Sequence, residues 1–386
     1  MALISKLENI GNAIREKTGK EDKLTLDEMA VEIAAIETGG GSAELPEEAF
    51  KITGDCTYRF SFNGWNWFIN TYGNKITTEN ITNIDHLFQN CNTLTEIPFD
   101  INISNNCKAL TNVFHMSTKL TNLPLIKGTL SAPTGNYSGV ANMNYFFNAC
   151  QYVRNIPYDY FHNFGGDAFW EASKNYKGTR GYMFAYCFSL RQLPDISMLK
   201  ITDTSPYGVL YYNGFTECYA LDEIVNLPVL DTCTFTSNAF YNTFDKCSRV
   251  KNITFETNED GTPISVNWKS QTIDLSKYVG FAYRNSEIVN YNSGITSNSV
   301  PNIENDDLYQ SYKDNPDYWT TKEPYSRYNH DSAIETINSL PITTNTGCVI
   351  KFKGIAGAST DGGAISTLTE EEIAVAAAKG WTVTLV

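Results

Sequence analysis

A chain of 386 residues, 42% hydrophobic and 13% aromatic, has ample material for packed cores and room for two or three domains, which excludes global disorder. Its formal charge of −14 argues against a nucleic-acid backbone partner, which needs a basic face, and against an anionic membrane surface. No apolar run approaches the length of a membrane span, so no membrane insertion is expected.

Residues 2–18 read as a helix with Ile4, Leu7, Ile10 and Ile14 on one stripe, ended by Gly19. Thr25 and Glu28 form a capping pair that opens a second helix with Leu26, Met29, Ile33 and Ile36 on its inner face. The two make a helical hairpin over 1–38, followed by a Gly/Ser linker at 39–43. So small a unit cannot bury both stripes by itself, so its apolar face meets another copy, another protein, or the first turn of the chain beyond the linker. The hinge favours a partner, and Leu7, Ile10, Ile14, Met29 and Ile33 are the expected assembly surface. The first dozen residues lack the apolar core and cleavage pattern of a signal peptide, so export by ordinary secretion is not expected.

From 44 to 79 the texture becomes β. Phe50–Thr53 and Tyr58–Phe62 read as strands, and Asn63-Gly64 as a hairpin signal. This aromatic segment suits a cap on the adjoining region, although Trp65 and Trp67 could instead stack on sugar rings.

Between 80 and 255 a motif recurs, Phe-x-x-Cys-x-x-Leu-x-x-Ile-Pro. It runs through Phe88, Cys91, Leu94, Ile97 and Pro98, then Phe114, Ser117, Leu120, Leu123 and Pro124. Further copies begin at Phe147, Phe184, Phe215 and Phe244. Self-similarity of this kind is the signature of a solenoid. The spacing puts Phe, Cys and Leu on one side of a turn, and the residue before Pro is pushed into an extended conformation. Each copy thus supplies a turn and a short strand, and only stacking on neighbours gives a continuous core. The steps between phenylalanines are uneven, and insertions in a solenoid fall in surface loops. Here they are rich in Tyr, Gly and Asn, the composition of an adaptable contact surface, although the same residues could simply pack the loops down. Tyr137, Trp170, Tyr176 and Tyr211 are the candidate ligand-binding residues.

Residues 256–386 read as degenerate repeats, a long polar loop and a C-terminal cap. Ser332 with Glu335 is placed to cap a helix running to Leu340, and Val349–Phe352 reads as a strand. Thr369 with Glu372 opens a helix, Gly380 ends it, and Trp381–Val386 is a closing strand.

Five of the nine cysteines occupy the repeat's small site, where Ser117 stands in the second copy, so structural thiols are expected rather than disulfides or metal ligands. The four histidines are scattered, and no nucleophile, metal or phosphate-binding motif is present. No catalytic residue, cofactor or metal is therefore expected, and an enzyme is unsupported.

The repeat resembles the bacterial surface-antigen (BspA-type) leucine-rich repeats, in which the Phe and Cys pack the convex turn and the Leu and Ile flank or enter a parallel strand. The resemblance implies an α/β solenoid, an irregular leucine-rich repeat with a small N-terminal helical hairpin and capping β segments. The stretch Ile10–Gly19 with Leu24–Met29 resembles the N-terminal module of tailed-phage tail and appendage proteins. Leu368–Ile373 with Lys379–Thr382 resembles the end of phage-encoded repeat proteins. Together these imply a virion structural protein, assembled in the host cytoplasm and acting outside the cell. Its N-terminal helices would mount it on other virion proteins, as a homo-oligomer, and its repeats would face a bacterial surface glycan or protein. A bacterial adhesin or interaction module, and a cell-wall glycan-degrading enzyme, are the alternatives.

Overall fold

The structure is a computed structural model that describes Gly11, Asn12, Ile14 and residues 45–131, 142–174, 178–202, 206–235, 237–247, 250–276, 328, 330–352 and 368–386. Two compact units divide the chain, Met1–Lys51 and Ile52–Val386. In the first, Ile14 is buried, and a 3₁₀ turn spans Glu47–Phe50. The predicted helical hairpin otherwise lies outside the described residues, as do Leu7, Ile10, Met29 and Ile33.

β1 (Lys51–Asp55) starts at the last residue of the first unit, and the second continues with α1 (Asn66–Tyr72), β2 (Thr77–Asn83), β3 (Ile101–Asn102) and β4 (Ile126–Thr129). Next come β5 (Phe164–Gly165), α2 (Asp167–Ser173), β6 (Glu223–Leu227), β7 (Asn252–Phe255), β8 (Ser265–Val266) and β9 (Thr272–Asp274). It closes with α3 (His330–Ser339), β10 (Ile342–Thr343), β11 (Cys348–Phe352), α4 (Glu370–Ala378) and β12 (Trp381–Leu385).

Described sheets are short, in the orders β1–β2, β3–β4–β5, β6–β7, β10–β8 and β12–β11–β9. The last four pair in parallel, with Ile101 opposite Ile126, Ile224 opposite Ile253, and Ile350 between Ile273 and Val383. Proline limits where a strand can run, because it has no N–H to give the ladder. β3 starts beyond Pro98 and β4 beyond Pro124, whereas the copies without proline carry β6 and β7 straight through Ile224 and Ile253.

Between the strands, the repeat phenylalanines stack ring on ring. Phe88–Phe114 centroids lie 5.8 Å apart, Phe114–Phe147 6.0 Å, Phe147–Phe184 5.6 Å, Phe184–Phe215 5.7 Å and Phe215–Phe244 6.2 Å, with interplanar angles of 20° or less. The column has one more member, Phe60, 5.3 Å from Phe88. All seven rings are buried, each contributing about 1.5–3 kcal/mol of transfer energy.

Around each ring the backbone divides its hydrogen bonds by parity. The N–H groups of His86, Phe88 and Asn90 donate to the carbonyls of Thr111, Val113 and His115 in the next copy. The alternate residues close turns within their own copy, as Leu87 does on Ile84 and Gln89 on His86. The same alternation recurs at Phe60, Phe147 and Phe215, so a segment with little regular helix or strand still satisfies its buried backbone.

The repeated Cys site has a specific task. Cys187 Sγ donates to the Phe147 carbonyl at 3.0 Å, Cys218 Sγ to Phe184 O at 3.0 Å, and Cys247 Sγ to Phe215 O at 3.2 Å. Cys91 and Cys150 do the same to Phe60 and Phe114, and in the second copy the Ser117 hydroxyl donates to Phe88 O. The position calls for a small side chain that carries a donor. All nine cysteines are free and buried, and burial pushes the Cys187 and Cys91 thiols up to about 12.

Three expectations need correcting. Tyr58–Phe62 is a run of turns, not a strand, because Tyr58, Phe62 and Asn63 all have left-handed backbone. Asn63-Gly64 leads into α1 rather than a hairpin, and Trp65 packs edge-on against Phe60 and Phe68. Ser332 lies inside α3 instead of capping it, its hydroxyl donating to Lys251 O at 2.6 Å. At the C-terminal end the capping box of Thr369 and Glu372 is present. Gly380, at φ 85°, ends the turn after α4 where a Cβ would lie 2.0 Å from the Thr343 carbonyl oxygen.

Candidate functional site

The turns that hold the phenylalanine column place two residues per copy in left-handed backbone, two positions before and two after the ring. At Phe184 these are Tyr182 (φ 57°) and Tyr186 (φ 62°), at Phe147 Tyr145 (φ 55°) and Ala149 (φ 58°), and at Phe60 Tyr58 (φ 55°) and Phe62 (φ 60°). Asn90, Asn112, Asn213 and Asn242 take the same positions elsewhere, with a side chain that tolerates them. Tyrosine, phenylalanine and Met116 bring no such tolerance, and each costs of order 1–2 kcal/mol against an unstrained residue. Bulky side chains kept where glycine fits freely point to a use for what they present outward.

Two of them, Tyr145 and Tyr182, belong to a row of tyrosines. Tyr145 stacks on Tyr182 at 4.8 Å, Tyr182 meets Tyr212 at 5.7 Å, and Tyr212 stacks on Tyr241 at 5.5 Å, with Tyr207 edge-on to Tyr212 at 5.2 Å. His115 extends the row beyond Tyr145 at 5.4 Å. Tyr145, Tyr182 and Tyr212 are half-buried, while Tyr207 and Tyr241 are 63% and 52% exposed. Stacking occupies ring faces within the row, so it offers mainly ring edges and hydroxyls outward. Burial, and then the neighbouring phenols, raise the pKa of Tyr145, Tyr182 and Tyr212, so their hydroxyls stay protonated. Burial lowers the pKa of His115, keeping its imidazole neutral near pH 7. The row is a line of uncharged hydrogen-bonding groups on an apolar base.

The ligand-binding residues expected from sequence fare differently. Trp170 is 3% exposed, and its Nε1 donates to Phe161 O at 3.1 Å and Phe164 O at 3.0 Å. Tyr211 is fully buried, its hydroxyl donating to Pro228 O and accepting from Leu230 N–H. Both are core residues and offer no contact surface, which corrects that expectation. Tyr137 and Tyr176 lie outside the described residues. The repeat register carries the missing signal. Tyr211 stands four before its phenylalanine, where Ile84, Leu110, Met143 and Phe240 are buried, whereas Tyr145 and Tyr182 stand two before and Tyr212 and Tyr241 three before.

Arg180 also occupies that inward position four before the ring. It is fully buried, Nη1 donates to Thr179 O at 3.2 Å, Nε and Nη2 have no partner among the described residues, and burial lowers its pKa to about 9. Among the described residues no group of three His, Cys, Asp or Glu side chains is arranged to hold a metal, and no helix is long and apolar enough to cross a membrane. Comparison of the chain with protein families, with curated proteins and with solved structures finds no match in any of the three.

Proposed function

We propose that this chain is a structural protein of a phage virion, in a tail, fibre or other appendage, whose repeats contact the host bacterial surface. In this reading the phenylalanine column is the spine of an irregular leucine-rich solenoid of the BspA type. The tyrosine row is its contact surface, and the N-terminal helices mount it on other virion proteins as a homo-oligomer. The protein binds and does not catalyse. The observation that carries the host-contact part is the unbroken row from Tyr145 to Tyr241, with Tyr145 and Tyr182 in backbone that glycine would adopt at no cost.

The test is adsorption of the purified full chain to host cells. Tyr145→Asn and Tyr182→Asn suit the left-handed backbone, and Tyr212→Ala and Tyr241→Ala remove the remaining rings. The fourfold variant is expected to adsorb at least about tenfold more weakly while unfolding at a similar temperature. Undiminished adsorption removes the row from the reading. Mounting is tested separately: particles made with a chain lacking residues 1–41 should omit the protein, and its incorporation would overturn the assignment of the helices.

A further inference from the structure

A second recognition surface shares no residue with the tyrosine row. It is a cleft of about 760 Å³ where four successive copies meet along their strand edges. Main-chain bonds tie three of these copies together, Asp222 N–H donating to Arg191 O at 3.2 Å and Lys251 N–H to Asp222 O at 2.8 Å. The parallel bridge between Asn155 and Gln192 brings two exposed amides side by side, and β6 adds Asn226 and Glu223, both exposed. Tyr158, 64% exposed, stands on the wall, tied to the next copy by the bond from Asp195 N–H to its own carbonyl at 2.8 Å.

We propose that this cleft binds a neutral glycan, a chain of hexose or N-acetylhexosamine units. Planar amides and carboxylates offer paired hydrogen-bonding atoms that match the adjacent hydroxyls of a pyranose, and an exposed phenol ring suits its C–H face. The volume falls within the range of small-ligand sites. Charge decides against an acidic polymer. Two cations, Arg191 and Lys251, line the cleft against four carboxylates, Asp195, Asp222, Glu223 and Glu256. Glu256 is paired with Lys200 at 2.7 Å, and Asp195 with His162 at 3.1 Å, so these two carboxylates are held in place. A peptide would look for apolar sockets, and the lining's large aliphatic side chains are buried or half-buried apart from Val225, which is 38% exposed.

Titration calorimetry and saturation-transfer NMR on the full chain test this, with oligomers of N-acetylglucosamine, glucose, galactose and mannose as probes and polygalacturonate as the acidic counterpart. At least one neutral series is expected to bind saturably, and Tyr158→Ala and Gln192→Ala each to weaken it at least about tenfold. Both side chains are exposed, so the variants should fold, which near-ultraviolet circular dichroism checks. The fourfold tyrosine-row variant should bind the glycan as the parent does, so failure of the row and failure of the cleft are told apart. Absence of saturable binding in all four series overturns the proposal. So does tighter binding of polygalacturonate, or a Tyr158→Ala variant that binds unchanged.

Discussion

At the scale of single residues, the repeated cysteine can be separated into size and donor. Cys187→Ala keeps the small apolar side chain but removes the Sγ–H donor from the Phe147 carbonyl, which still accepts from Cys150 N–H, and should lower stability by about 0.5–1.5 kcal/mol. Cys187→Ser keeps a donor, as Ser117 does in the second copy, and should lose less. Urea unfolding of both variants decides it, and equal losses would reduce the site to packing alone. Arg180 makes the opposite prediction. Arg180→Met copies Met143 at the equivalent position and removes a buried unpaired guanidinium, so it should stabilise by at least about 1 kcal/mol. The folded-state pKa near 9 lies below that of the unfolded chain, so the folded state sheds its proton first. The parent should therefore gain on the variant as pH rises above about 9, which melting curves at several pH values will show. The spacing of the cysteines was legible in the sequence, but their donation was not, because the acceptor lies in the preceding copy and no local pattern records it.

At the scale of elements, α3 and α4 are joined by His330 Nε2 and Glu372 Oε2 at 3.2 Å. The Glu372 carboxylate raises the His330 pKa above the usual value, so its contribution is complete below about 6.5 and is lost as pH climbs through the raised value. Glu372 is lowered first by the Thr369 backbone N–H and then by His330, so its contribution is present above its ordinary value and lost as pH falls through the depressed one. His330→Asn should therefore lower the melting temperature more at about pH 5.5 than at about pH 8.5. An equal shift at both would assign the residue to packing. α4 was readable because a capping box is a local arrangement of adjacent residues, and β11 and β12 because their apolar runs are compact. The segment around Phe60 was misread because alternation of aromatic and polar residues suits a strand as well as it suits the parity of these turns. Asn63 in place of Cys hid that copy, and its side chain instead accepts from the Thr93 N–H of the next one at 3.1 Å.

At the scale of the molecule, the period was legible and the face each tyrosine takes was not. Tyr211 and Tyr212 are neighbours in sequence, yet one fills the core and the other joins the row. Composition could nominate tyrosine-rich segments, but only the register relative to Phe215 assigns the side. The same register places Tyr182 beside Tyr145 across a step of 37 residues, so the row is continuous in space and scattered in the chain.

Parity of hydrogen bonding has a consequence for how such a chain can change over generations. Deleting or inserting one residue within the stretch from four before a ring to three after it would exchange donors to the next copy for turn closers and move every later side chain there off its buried or exposed position. That octet is in effect a reading frame written in peptide groups, intolerant of single-residue slips. The spacings of 26, 33, 37, 31 and 29 residues fit such a rule, since the ladder keeps its alternation while length varies elsewhere. Novelty in this protein can be grafted between octets, and is forbidden within them.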